Sequence, residues 1–146
     1  GPFVFDELTR LPSIETDLEV LVGAEWPESI RALPATRLYV ERMEEVCFGW
    51  PGGFVAHHYT RYLGDLSGGL IIGRTVKDQF GLRDGGATFY EFPRIPDAAA
   101  FKDGYRRLLD ALRWPSEERS KVIDEVRRAY ALNFQMLRAI GSPMTG

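Results

Sequence analysis

The sequence predicts an all-α fold. Apolar residues recur at three- and four-residue spacing in five stretches, four of the five open on Pro, Ser or Asp, and only one short segment alternates like a strand. Ile14, Leu18, Leu21 and Val22 share one helical face, with Pro12 and Ser13 before them and Gly23 after as start and stop signals. After a turn around Trp26-Pro27, Leu38, Tyr39, Met43 and Val46 mark a second helix from Pro34 to about Phe48, which Gly49 and Pro51-Gly52-Gly53 end. The third stretch, Phe54 to Phe80, is helical but carries Gly64, Gly68, Gly69 and Gly73. Each costs up to ~1 kcal/mol relative to alanine in a helix interior, so these glycines need a cause. Gly81 to Gly86 reads as a turn, and Ala87 to Phe92 as a short extended segment ended by Pro93 and Pro96. Asp97 is an N-cap for a helix with Phe101, Tyr105, Leu108, Leu109 and Leu112 on its apolar face. Ser116 caps the last helix, which places Glu117 and Glu118 at the positive end of its dipole and buries Val122, Val126, Ala129, Met136 and Ile140.

With 146 residues, 45% of them hydrophobic and 12% aromatic, the chain can bury one sizeable core, and the expected organisation is a single helical domain over 1–146. Gly1-Pro2 fits equally the remnant a site-specific protease leaves and native residues of a longer chain. A net charge of -3, from 18 basic and 21 acidic residues spread along the sequence, leaves no polybasic stripe for nucleic acid. No apolar run reaches the roughly 18 residues that span a bilayer. The single Cys47 cannot close an internal disulfide, which suits a reducing, cytoplasmic compartment.

Gly64 and Gly68, four apart, lie one above the other and leave one helix face nearly bare backbone. Close packing of another helix through small residues explains such a face, and so does a planar cofactor laid against it. Arg61 and Asp65 flank the face. Their spacing suits a plain surface ion pair, or a carboxylate that holds an ordered water beside a cofactor while the arginine keeps it ionised. Spacing does not choose between these.

The run Ala56-His57-His58-Tyr59-Thr60-Arg61-Tyr62-Leu63-Gly64-Asp65-Leu66-Ser67-Gly68-Gly69 resembles the distal-helix signature of heme oxygenases. The similarity extends from about Phe3 through Asp17-Leu18, Phe101-Lys102-Asp103-Gly104-Tyr105-Arg106 and Ala131-Leu132-Asn133-Phe134-Gln135. It implies a heme oxygenase-like helical bundle in which heme, both substrate and cofactor, meets O2 and is cleaved to biliverdin, carbon monoxide and ferrous iron. Electrons would come from a reductase or ferredoxin. In that family the glycine backbone of a kinked distal helix contacts the ring, and Gly64, Ser67 and Gly68 match that stretch. Asp65 matches the aspartate that holds a proton-delivering water network, and Arg61 and Asn133 match polar residues of the same network. Lys102 and Arg106 match residues that meet the heme propionates, Tyr59 and Tyr105 residues at the pocket edge, and Tyr130 an aromatic over the heme. For each, a core or solvated role is the plainer alternative.

Members of that family are longer, so the resemblance implies that the N-terminal proximal helix with its axial histidine is absent here. His57 and His58, the chain's two histidines, do not match that ligand, and adjacent helical residues point about 100° apart, so they form no paired metal site. Exposed apolar faces are expected in consequence, and with them pairing with the missing segment, dimerisation or exchange of elements. A heme- or bilin-binding module without turnover is the alternative to the enzyme.

Overall fold

The structure, a computed structural model, describes residues 1–141, so the last five residues of the expected 1–146 domain lie outside the described residues. Among the described residues there is no strand, and the helices are α1 (Leu11–Val22), α2 (Trp26–Ser29), α3 (Pro34–Cys47), α4 (Pro51–Gly64), α5 (Leu70–Phe80), α6 (Ala98–Asp110) and α7 (Ser116–Gly141). Short 3-10 turns cover Asp6–Leu8 and Thr88–Tyr90, and one π-helical turn, Asp65–Gly69, links α4 to α5. Contacts divide the chain into two compact units, one made of residues 1–30 and 62–112, the other of 31–61 and 113–146. Each draws on two separate stretches of sequence.

In the first unit Leu8, Leu66, Phe92 and Ile95 form a buried cluster, with Phe5, Tyr62, Leu70, Ala98 and Phe101 packed around it. Asp97 caps α6 as expected, accepting a hydrogen bond from the Ala100 amide at 2.9 Å. The face of α1 that carries Ile14, Leu21 and Val22 is exposed, and the residue α1 buries is Asp17. Its carboxylate accepts from the Thr88 amide at 2.8 Å, the Thr88 hydroxyl at 2.7 Å and the Phe89 amide at 2.7 Å. Drawing two successive amides onto one carboxylate curls the backbone, so Thr88–Tyr90 is a 3-10 turn and not the extended segment the alternation suggested.

In the second unit α3 packs against α7. The helix after Gly49 begins three residues earlier than expected, with Pro51 in its first position, where a missing N–H is no loss. Gly52 and Gly53 belong to that first turn because space demands it. A Cβ on Gly52 would lie 2.7 Å from Val122 and Trp50 atoms, and one on Gly53 2.9 Å from the Val46 carbonyl. Ser116 is the first helical residue of α7 and not its cap, since the Pro115 carbonyl already accepts from the Arg119 amide at 3.0 Å. Val122 and Ala129 are buried there as expected, but Ile140 is 72% exposed, and Glu125 is buried in its stead.

Candidate functional site

The glycine run takes the form of a π turn within an otherwise helical segment that continues from α4 into α5. Gly64 and Gly69 both have right-handed helical dihedrals, and no glycine from 64 to 73 has a positive φ, so backbone conformation does not demand glycine here. Packing separates the four. A Cβ on Gly73 would lie 2.5 Å from the Tyr90 Cβ, and one on Gly69 3.3 Å from the Asp65 Cβ, so these two glycines serve internal contacts. A Cβ on Gly64 or Gly68 would meet nothing within 4 Å. Both are exposed, as is Ser67 between them. The bare face is therefore open, and among the described residues no helix packs against it through small residues, which was the first of the two explanations its spacing allowed.

Asp65 itself is 2% exposed, which removes the plain surface ion pair as its role. Its neighbour Leu66 lies in the apolar cluster with Phe92, and the guanidinium of Arg10 sits 4.1 Å from the centre of the Phe92 ring. Arg10 donates to the carbonyls of Phe89 and Glu91. Burial lowers its pKa, opposed by the fields of Tyr62 and Asp65. On α6, Lys102 is half-buried and donates to Ser67 Oγ at 2.9 Å, while Arg106 is exposed and pairs with Asp103 at 3.0 Å. Tyr105 is a correction: at 1% exposure, with its ring 5.2 Å from Phe3 and 5.8 Å from Phe5, it is a core aromatic and not a pocket-edge residue.

The remaining sequence-derived residues belong to the second unit. Arg61 donates to Asn133 Oδ1 at 3.3 Å. Tyr59 is half-buried, whereas Tyr130 is 56% exposed and shares one face of α7 with Phe134 and Leu137, themselves 60% and 59% exposed. An apolar stripe interrupted by Asn133 suits a flat, mostly apolar ligand with a polar edge.

Sequence reasoning missed a buried polar cluster in this unit. Glu125 on α7 receives two hydrogen bonds from Arg42 on α3, at 2.9 and 2.6 Å, and pairs with His57 Nε2 on α4 at 2.9 Å. The Arg42 hydrogen bonds hold the Glu125 pKa down against burial, with His57 adding to the effect, and Glu125 in turn raises that of Arg42. His57 is 3% exposed, and its Nδ1 is buried without a partner. His58 lies 5.2 Å from the Phe54 ring, and burial lowers its pKa to about 4. Neither histidine is placed as an open ligand, and among the described residues no group of three metal-binding side chains occurs. A hollow of about 470 Å³ beside this cluster is lined by Trp50 and six charged residues, Arg42, Glu118, Lys121, Asp124, Glu125 and Arg128. No described helix is long and apolar enough to cross a membrane.

Known proteins match this arrangement over almost the whole chain. The family model described as heme oxygenase matches residues 1–139. The chain is 39% identical over 136 residues to heme oxygenase 1 of Synechocystis sp., covering 93% of this chain and 57% of that protein, and 38% identical over 142 residues to bovine heme oxygenase 1, covering 96% and 49%. The crystal structure of heme oxygenase-1 from Synechocystis sp. in complex with heme superposes with a TM-score of 0.86 at 38% identity, over 95% of this chain and 66% of that one. That of heme oxygenase-2 from the same organism, in complex with heme and NO, gives a TM-score of 0.88 at 31% identity, over 93% and 57%. The chain thus spans between about half and two thirds of the length of these proteins, and within that span it belongs to the heme oxygenase family.

Proposed function

We propose that this chain forms the distal wall and the proton-handling part of a heme oxygenase, which cleaves heme with O2 to biliverdin, carbon monoxide and ferrous iron. One observation carries the reading: Gly64 and Gly68 lack side chains where neither dihedral angle nor any described neighbour requires it. A helix that forgoes about 1 kcal/mol at each position without an internal reason is shaped for something outside itself. A porphyrin fits the opening, because a flat ring needs close approach to backbone and its two carboxylates need cations. Lys102 and Arg106, four apart on α6, can supply those cations. Arg106 would leave only a surface ion pair with Asp103, worth little in water.

Bound heme supplies the oxygen activation. The protein's part is to orient the ring against the glycine face, exclude bulk water, and hold protons at defined atoms. Asp65, buried beside that face, can keep an ordered water at its carboxylate. Arg61, bonded to Asn133 Oδ1, keeps a cation and an amide fixed in the same proposed network. Tyr59 and Tyr130 have the roles of heme-contacting aromatics only through the family resemblance. Electrons come from a reductase or ferredoxin, and the unpaired, half-buried Cys47 fits a cytoplasmic setting.

A second reading, a heme- or bilin-binding module without turnover, is favoured by the histidines. His57 is committed to Glu125 and His58 lies against Phe54, so the axial ligand in the enzymatic reading comes from polypeptide beyond these residues. Hemin titration with reductant and O2, with and without added imidazole, separates the two. Loss of the Soret band with growth of biliverdin absorption is expected for the enzyme. A band that persists under both conditions supports the binding module, and no Soret shift at all rejects both.

A further inference from the structure

On the face of the π turn, Ser67 Oγ donates to the Leu63 carbonyl at 2.8 Å and accepts from Lys102 Nζ at 2.9 Å. The hydroxyl proton is thus turned back onto the helix, and the oxygen lone pairs are left facing the ammonium. Both side chains lie within the first unit, where α6 packs against the π turn, and Ser67 sits between the open positions Gly64 and Gly68. An ammonium has three donors, and the hydrogen bond to Ser67 uses one of them. Two remain for an incoming anion. A lysine on a four-carbon stem otherwise loses rotamer freedom when it is fixed by a ligand.

We infer that Ser67 is a positioning residue: it holds the Lys102 ammonium at the edge of the glycine face before any ligand arrives, and so favours porphyrins that carry free carboxylates. This rests on the heme reading above. Its specificity consequence is narrow. A porphyrin whose carboxylates are esterified makes no use of the held lysine, so Ser67 affects one ligand and not the other. Ser67→Ala also improves helix propensity slightly, so a loss of binding in that variant does not come from a weakened helix.

The test compares hemin and hemin dimethyl ester binding to the 146-residue chain and to Ser67→Ala, Ser67→Thr and Lys102→Met. Ser67→Ala is expected to weaken hemin about 3- to 10-fold, the range set by immobilising one flexible side chain. The ester should bind equally to both, Ser67→Thr should restore hemin to within about twofold, and Ser67→Ala added to Lys102→Met should change nothing further. Equal weakening of hemin and ester, or unchanged hemin binding, overturns the inference while leaving the heme reading intact. A ligand-free readout is the 15N spectrum of the lysine ammonium groups, where the Lys102 signal should show slowed proton exchange that Ser67→Ala abolishes. No such signal in the unaltered chain overturns the positioning. Its presence in a chain that binds neither porphyrin supports the positioning and overturns the heme reading.

Discussion

Two regions of this chain go against what a stable helical protein needs, and they do so in opposite ways. Around Glu125 the second unit buries charge, which is costly, and then meets it from within: Arg42 from α3 and His57 from α4 both reach the carboxylate. Around Gly64 and Gly68 the first unit omits side chains, which is also costly, and leaves the space unfilled. The first departure is closed, so it serves structure. The second is open among the described residues, which is why we propose it as the binding face. The proposed functional surface is thus singled out by what the fold leaves unmet, not by how unusual its residues are.

The largest expected effect breaks the closed region. Glu125→Ala removes the acceptor from the buried His57 imidazole and from the half-buried Arg42 guanidinium, which keeps its pair with Glu45, so urea denaturation should show a loss of about 3 kcal/mol, the low end for breaking a buried pair. A loss below about 1 kcal/mol would mean that solvent reaches His57 and that the region is not closed.

Acid separates two neighbours in the same unit. His58 has a folded pKa of about 4 against its ordinary 6.5, so the unfolded chain binds the proton first. Its contribution is complete above pH 6.5 and is lost as pH falls toward 4, by roughly 3 kcal/mol at most. Glu125 is lowered from 4.5, so its contribution is complete above pH 4.5 and is lost as pH falls from there through its depressed folded value. Stability measured against pH should therefore decline in two steps, and His58→Phe should remove the upper one alone. An unchanged upper step would assign it to another group.

Legibility in the sequence follows the same division. Helix starts and stops depend on local chemistry, and Asp97 caps α6 where its position said it would. The motif around Asp65 is likewise contiguous. What periodicity hides is charge turned inward. Asp17 and Glu125 read as solvent-facing because their partners, Thr88 and Arg42, lie 71 and 83 residues away. Spacing is equally silent on cover, since Ile14 and Leu21 satisfy a helical period whether or not anything packs on them, and both are exposed. Four glycines in one helix looked alike in sequence, and only the distance to a neighbour tells Gly73, which yields to Tyr90, from Gly64.

That distinction gives the next effect in size. Gly73→Ala forces a Cβ to within 2.5 Å of the Tyr90 Cβ, and both atoms are anchored directly to backbone. The strain should cost about 1–3 kcal/mol in denaturation, even after the gain in helix propensity. If Gly73→Ala is neutral, Tyr90 gives way easily and the contrast with the open glycines loses its structural half.

The smallest change in stability is the most informative. Gly64→Ala and Gly68→Ala add a methyl group into open space on helical backbone, so each should be neutral or stabilising by up to about 1 kcal/mol. A ring lying in van der Waals contact with that backbone would be pushed away by the same methyl, and hemin affinity should fall about tenfold or more. Stability and binding then move in opposite directions, a pattern that a purely internal glycine cannot produce because its replacement harms both. Measuring denaturation and hemin titration on the same two variants puts the comparison at risk in both halves. A loss of stability matching that of Gly73→Ala would show that some neighbour does fill the face, whereas unaltered hemin affinity would move the ring to another surface.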